Sequence, residues 1–212
     1  MNFNVHSELE GKHALLGASK HSWLNYDDEQ LYKAYINSFA PTIGTLVHEY
    51  AKDKIIFRQQ MEDNRSEKNA LLLYLLKNGI PYQVIPLESI FYNLVPYVND
   101  AIGYKMTPEL VLYYNEYSFG TADTISYSRN MLRIHDLKTG STPASMDQLM
   151  IYAAWFFLEY KKEVTFQKSR TELRLYQNQE VIVHTPTSQE LAGIMDRVVH
   201  GALTIEKNIV EV

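Results

Sequence analysis

The stretch RIHDLKTG, Arg133 to Gly140, decides the fold. It reads as a strand, yet an acid and a base sit two apart at its end, Asp136 and Lys138. Residues two apart in a strand point to the same face. Leu132 and Ile134 share that face, so it runs from apolar to ionic just before Gly140 turns the chain. Such a pair has a chemical use. The acid holds a metal, while the lysine orients or deprotonates a water and offsets phosphate charge. A partly exposed ion pair of little weight explains the triplet equally simply, and for the triplet alone it is the better explanation.

The neighbouring segments shift that balance. ELVLYYNEY (109–117), GTADTISYS (120–128) and MLRIHDLKT (131–139) are rich in β-branched and aromatic residues and are joined by short polar links, as in an antiparallel meander. A hairpin turning near Ser128–Asn130 brings Asp123 towards Asp136. Two carboxylates at one place repel unless a cation lies between them. Hard oxygen ligands suit Mg²⁺ or Mn²⁺. Gly120 permits close backbone approach. Beyond the turn, Thr142 as N-cap and Pro143 in the first turn open a predicted helix over 143–160. There Gln148 and Tyr152 share a face with Trp155, while Leu149, Ala153 and Phe156 face the core. The Gln148/Tyr152 pair either lines a site or marks an amphipathic boundary. TELRLYQ and EVIVHT read as two further strands, and a helix capped by Thr187 or Ser188 follows.

The first half is helical. Helices are expected over 27–39, over 41–63 with Ile43, Leu46, Val47, Tyr50, Ala51 and Ile55 on one face, from a Ser66 cap to a stop at Gly79, and over 86–103 with a bend before Pro96. His48 lies one turn after Gly44. A lone helical histidine is more often a packing residue than a ligand, but this one supplies a metal nitrogen if its helix leans on the sheet. HEYAK (48–52) lacks the second histidine of a zinc-protease helix. With no phosphate-binding Gly-rich loop, no nucleotide cofactor is expected, and no Gly-x-Ser-x-Gly elbow occurs. The expected fold is α/β, a central mixed sheet flanked by helices. One domain over 1–212 is expected, with a helical part (1–105), a catalytic sheet and helix (106–185) and a C-terminal helix (186–212).

Composition sets outer limits. With 46% hydrophobic and 21% charged residues, the chain is an ordinary globular protein. The absence of cysteine excludes disulfides, thiolate zinc sites and cysteine-ligated iron–sulfur clusters. A net charge of -5 does not mark the whole molecule for nucleic acid, although Arg129, Arg133, Lys161, Lys162, Lys168, Arg170 and Arg174 gather in the second half. No apolar run approaches the roughly 20 residues of a bilayer span, and no signal peptide is visible, so a cytoplasmic protein without membrane contact is expected.

Four segments together resemble the RecB-type branch of the PD-(D/E)xK nuclease superfamily. They are Gly44-x3-His48, Gly120-x2-Asp123, Asp136-x-Lys138-Thr139-Gly140 and Gln148-x3-Tyr152, in the family's order. They span about 44–152, and the helix–strand–strand–strand–helix–strand order is also similar to the family's restriction-endonuclease-like core. The flavour is that of phage exonucleases, the group that includes lambda exonuclease. The resemblance implies that Asp123 and Asp136, with the Leu137 carbonyl, hold Mg²⁺ or Mn²⁺, and that His48 is the extra ligand of manganese-favouring members. It further implies that Lys138 positions the attacking water, and that Gln148 and Tyr152 contact the DNA strand near the scissile phosphate. The activity implied is metal-dependent DNA hydrolysis leaving a 5′-phosphate, foremost an exonuclease of phage-type recombination, repair or replication in the host cytoplasm. The implied partners are linear DNA with ends, a homo-oligomer and a recombination protein. An endonuclease of the same fold, or a DNA-end or protein-binding module with weak cleavage, is the alternative. One departure stands out: some relatives carry four cysteines around an iron–sulfur cluster, whereas Tyr26 stands in that early region here and no cluster is expected.

Overall fold

The computed structural model describes residues 3–210. Its centre is the meander read from the sequence: β1 (Thr107–Asn115), β2 (Ser118–Ser128) and β3 (Met131–Leu137), each antiparallel to the next. The β2–β3 link is the two-residue turn Arg129-Asn130, both at positive φ (52° and 57°). That turn follows the right-handed twist of the flanking strands. A crossover through α5 (Asp147–Glu159) then brings β4 (Arg170–Gln177) parallel to β3, and β5 (Glu180–His184) pairs antiparallel with β4. The result is one five-stranded mixed sheet in the order β1-β2-β3-β4-β5.

Helices cover both faces. On one side lie α2 (Ala40–Ile56), α3 (Arg65–Lys77) and α4 (Leu87–Gly103), whose Ile43, Val47, Leu71, Leu94 and Val98 form a core with Leu137 and Tyr176 of the sheet. On the other, α5 and α6 (Ser188–Val210) bury Leu149, Ala153, Phe157 and Leu191 against Leu112, Ile134 and Leu173. The chain enters through α1 (Asp28–Ser38), which Asp27 and Gln30 close with a capping box. Among the described residues, no helix is long and apolar enough to cross a membrane.

Three expected boundaries move, each for a physical reason. The second helix stops at Ile56 instead of running to 63: Arg58 adopts φ 52°, and the Met61 backbone N–H and C=O are both taken by the Asn99 side chain on α4. Asn64, not Ser66, caps α3, accepting from the Glu67 N–H at 2.9 Å. The helix over 86–103 is found as α4 with Pro96 inside it, whereas Thr142 and Pro143 do not start α5. The buried Gln177 amide instead holds that loop open, donating to the Gly140 and Thr142 carbonyls and accepting from the Ala144 N–H. Thr187 does cap α6, its Oγ1 accepting from the Glu190 N–H while Glu190 accepts from the Thr187 N–H.

Candidate metal centre

A strand that alternates strictly cannot turn two neighbouring apolar residues three apart into one core, yet Ala122 and Ile125 of β2 both pack on the α5 side. The alternation changes phase between them, and Asp123 falls in that change. Across on β1, Pro108 pairs with Thr124 and Leu110 with Ala122, leaving Glu109 and Asp123 between paired positions. Glu109 has φ 53°, a left-handed conformation that costs a side-chain-bearing residue roughly 1 kcal/mol or more. Strain here re-aims both acids out of the ladder.

They are aimed at α2. His48, Glu109 and Asp123 each offer a ligand atom, and the three atoms lie within 4.8 Å of one another. His48 Nδ1 stands 3.5 Å from Asp123 Oδ2. They border an open cleft of about 520 Å³, shared with Gly44, Glu49 and Lys52. Gly44 lets α2 approach the loop after β3: a Cβ there would meet Thr139 Oγ1 at 3.4 Å.

The β2–β3 pairing ends at Thr124–His135, and beyond it the strands are joined by a side chain. Asp123 Oδ2 accepts the Leu137 N–H at 3.0 Å. Asp136, only 1% exposed, is answered by Lys138, whose Nζ donates to Oδ1 at 3.1 Å and lies 3.0 Å from Oδ2 without hydrogen-bond geometry. Asp136 Oδ2 is therefore a buried acceptor without a hydrogen bond. Lys138 Nζ also donates to Gln148 Oε1 at 3.0 Å, and Gln148 Nε2 donates to the Tyr152 hydroxyl at 2.8 Å. Burial and the Asp136 carboxylate push the Asp123 carboxyl up from its ordinary 3.8 to about 6, against the pull of His48, the Leu137 N–H and Lys138. Such a site favours a cation: charge is concentrated on buried oxygens that the protein's own donors leave incompletely satisfied.

The residues singled out in the sequence thus converge. Asp123, Asp136, Lys138, Gln148 and Tyr152 form one chain of contacts or near neighbours, and His48 reaches it from α2 as the leaning helix requires. Leu137 takes part through its N–H. Tyr152 is 8% exposed and turned to Gln148, so its polar group serves the lysine rather than the open cleft. Gly120 lies under Trp155, where a Cβ would be 2.8 Å from the indole. Sequence reasoning missed Glu109, though a charge opening an otherwise apolar strand was the available sign. It also counted Arg133 and Arg174 towards a basic surface. Both turn to the α4 side of the sheet, where Glu172 and Asp100 answer them and Tyr104 lies beneath both guanidinium groups.

The donor set of His48, Glu109 and Asp123 is one imidazole and two carboxylates, a set that can hold a divalent cation. With no cysteine in the chain, a cysteine-ligated iron–sulfur cluster is excluded. No family model matches the chain, and no curated protein matches it either.

Proposed function

We propose that the chain is a metal-dependent nuclease of the PD-(D/E)xK type, RecB branch, acting foremost as an exonuclease on linear DNA. The observation that carries this is the convergence, on the splayed ends of β2 and β3, of a His48–Glu109–Asp123 metal-ligand cluster with the Asp136–Lys138–Gln148–Tyr152 chain. The chain order α4, β1, β2, β3, α5, β4 supports the restriction-endonuclease-like reading, with Asp123 on β2 and Asp136 on β3. When bound at these ligands, the cation supplies positive charge to the scissile phosphate and acidifies a water for attack.

The protein's own groups do the rest. His48, Glu109 and Asp123 would hold the cation, while Asp136 anchors Lys138 beside them. Lys138 has three N–H donors. Asp136 and Gln148 take two, which leaves the third N–H and the ammonium charge for an attacking water and the phosphate. Tyr152 fixes the Gln148 amide so that its oxygen faces the lysine. Cleavage at the phosphorus–3′-oxygen bond leaves the phosphate on the 5′ side of the product, and Lys52 in the cleft is the cation nearest His48 along α2 for a neighbouring phosphate.

The test is hydrolysis of end-labelled linear duplex, with closed circular DNA alongside, in Mg²⁺, Mn²⁺ and EDTA. Wild type should degrade the linear DNA only, with metal only. Lys138→Ala should lose at least about a hundredfold of that rate, as loss of a positioned proton-transfer or charge-stabilising group does. Cutting of circles would replace the exonuclease by an endonuclease. DNA binding without cleavage of any substrate would refute the nuclease.

A further inference from the structure

The two edges of the sheet are finished differently. At one edge the Tyr113 N–H of β1 is taken by the Glu159 carboxylate of α5 at 2.9 Å, so a charged side chain occupies one of its outward groups. At the other edge, among the described residues, β5 pairs only with β4. It is short and flanked by Glu180 and His184, but it carries no proline, lysine or bulge, three of the devices that keep an edge from pairing. Its centre is instead three consecutive β-branched residues, Val181, Ile182 and Val183, 40%, 46% and 53% exposed. Beside Val181 a groove of about 390 Å³ continues onto Phe91, Tyr92, Val95 and Pro96 of α4, with Asp63 and Gln179 as its polar lining.

The order of residues in β5 indicates what closes it. Glu180-Val181-Ile182-Val183-His184 is complementary to itself when two copies run antiparallel about Ile182. Val181 then faces Val183 of the second copy, Ile182 faces Ile182, and Glu180 faces His184 at both ends. Cross-strand pairs of β-branched residues, and of an acid facing an imidazole, stabilise a ladder, each by a fraction of a kcal/mol, and an offset register loses them. The register with β4 places Val181 opposite Tyr176 and Val183 opposite Arg174, on the α4 side, so all four valines of the two copies share the face that carries the groove.

We propose that β5 pairs with β5 of a second copy of this chain, antiparallel about a two-fold axis at Ile182, making one continuous sheet of both copies. Isologous pairing satisfies the free edge of both copies at once and closes the assembly at two. The cleft of His48, Glu109 and Asp123 lies at the β1–β2 side, away from β5, so both clefts stay open in the pair.

The experiment is sedimentation equilibrium of the full chain across the micromolar range. Wild type should show twice the chain mass. Ile182→Lys, which sets two lysines against each other on the axis, should return the chain mass with its far-UV circular dichroism and thermal transition retained. Glu180→Lys should weaken the dimer at least severalfold, and Glu180→Lys with His184→Glu should restore it. Because the chain has no cysteine, Ile182→Cys introduces a single thiol. A short bis-maleimide should link it to its copy and should leave Val111→Cys, on β1, as monomer. A wild type that is monomeric throughout leaves the edge to a strand of some other chain and overturns the proposal. So does a dimer that survives Ile182→Lys. None of these readouts depends on nuclease activity.

Discussion

Asp123→Asn separates the site's stability from its chemistry. Burial and Asp136 hold the Asp123 carboxyl at about 6, where an unfolded chain would titrate it near 3.8. A raised carboxyl pKa means that the folded state prefers the proton. Well below pH 3.8 both states are protonated and the group contributes no bias. Between about pH 4 and 6 the unfolded chain ionises first, and stability falls as pH rises. Above pH 6 the full penalty is present, about 3 kcal/mol for a difference of roughly two pH units. Asparagine cannot ionise, yet it still offers an oxygen to the Leu137 N–H. In EDTA at pH 8 the variant should therefore melt higher than wild type, by about 6–12 °C for a chain of this size. At pH 4.5 the gain should shrink to about a third of that. Differential scanning calorimetry at the two pH values reads both numbers. Added Mn²⁺ should raise the wild-type transition and leave the variant nearly unmoved, since one anionic ligand is gone. A variant that melts lower than wild type in EDTA at pH 8, or by the same margin at both pH values, refutes the idea that Asp123 is held in a strained, charged state for a cation.

Glu109→Gln should weaken Mn²⁺ binding by at least the 10–100-fold that loss of even an outer-shell partner costs, measured by isothermal titration calorimetry. Gly120→Ala forces a methyl against the Trp155 indole, 2.8 Å from its nearest carbon, and should cost about 1–3 kcal/mol with a shift in tryptophan emission. His135 is fully buried, and burial together with Arg174 and Arg133 pushes its imidazole down to about 3. A lowered histidine pKa means stability is lost as pH falls from about 6.5 towards 3. Replacing His135 by Phe should therefore flatten the acid side of the denaturant-measured stability profile.

Much of this was legible because strand and helix periods are local. The faces of β3, the hairpin at Arg129-Asn130 and the spacing of Gln148 and Tyr152 all follow from residues a few positions apart. What escaped the sequence rests on partners far along the chain. Gln177 decides where α5 begins, Asn99 decides where α2 ends, and neither announces its role locally. Arg174 looked like surface charge because nothing near it in sequence shows that Asp100, Tyr104 and Tyr176 would meet on the α4 side.

Glu109 is the most instructive omission. An alternating pattern assigns each strand residue a face, and by that count Glu109 and Asp123 are ordinary members of two strands. Only the phase change between Ala122 and Ile125, matched by the positive φ at Glu109, brings both carboxylates to His48. The irregularity is costly in both strands, through lost pairing and left-handed backbone, and it leaves acids crowded without enough donors of their own. A sheet built only for stability would keep the alternation and the apolar face. The deviation makes physical sense as the geometry that gathers an imidazole and carboxylates from a helix and two strands around one cation. Lys138, just past the end of the third strand, is held by its own acid and by an amide from α5.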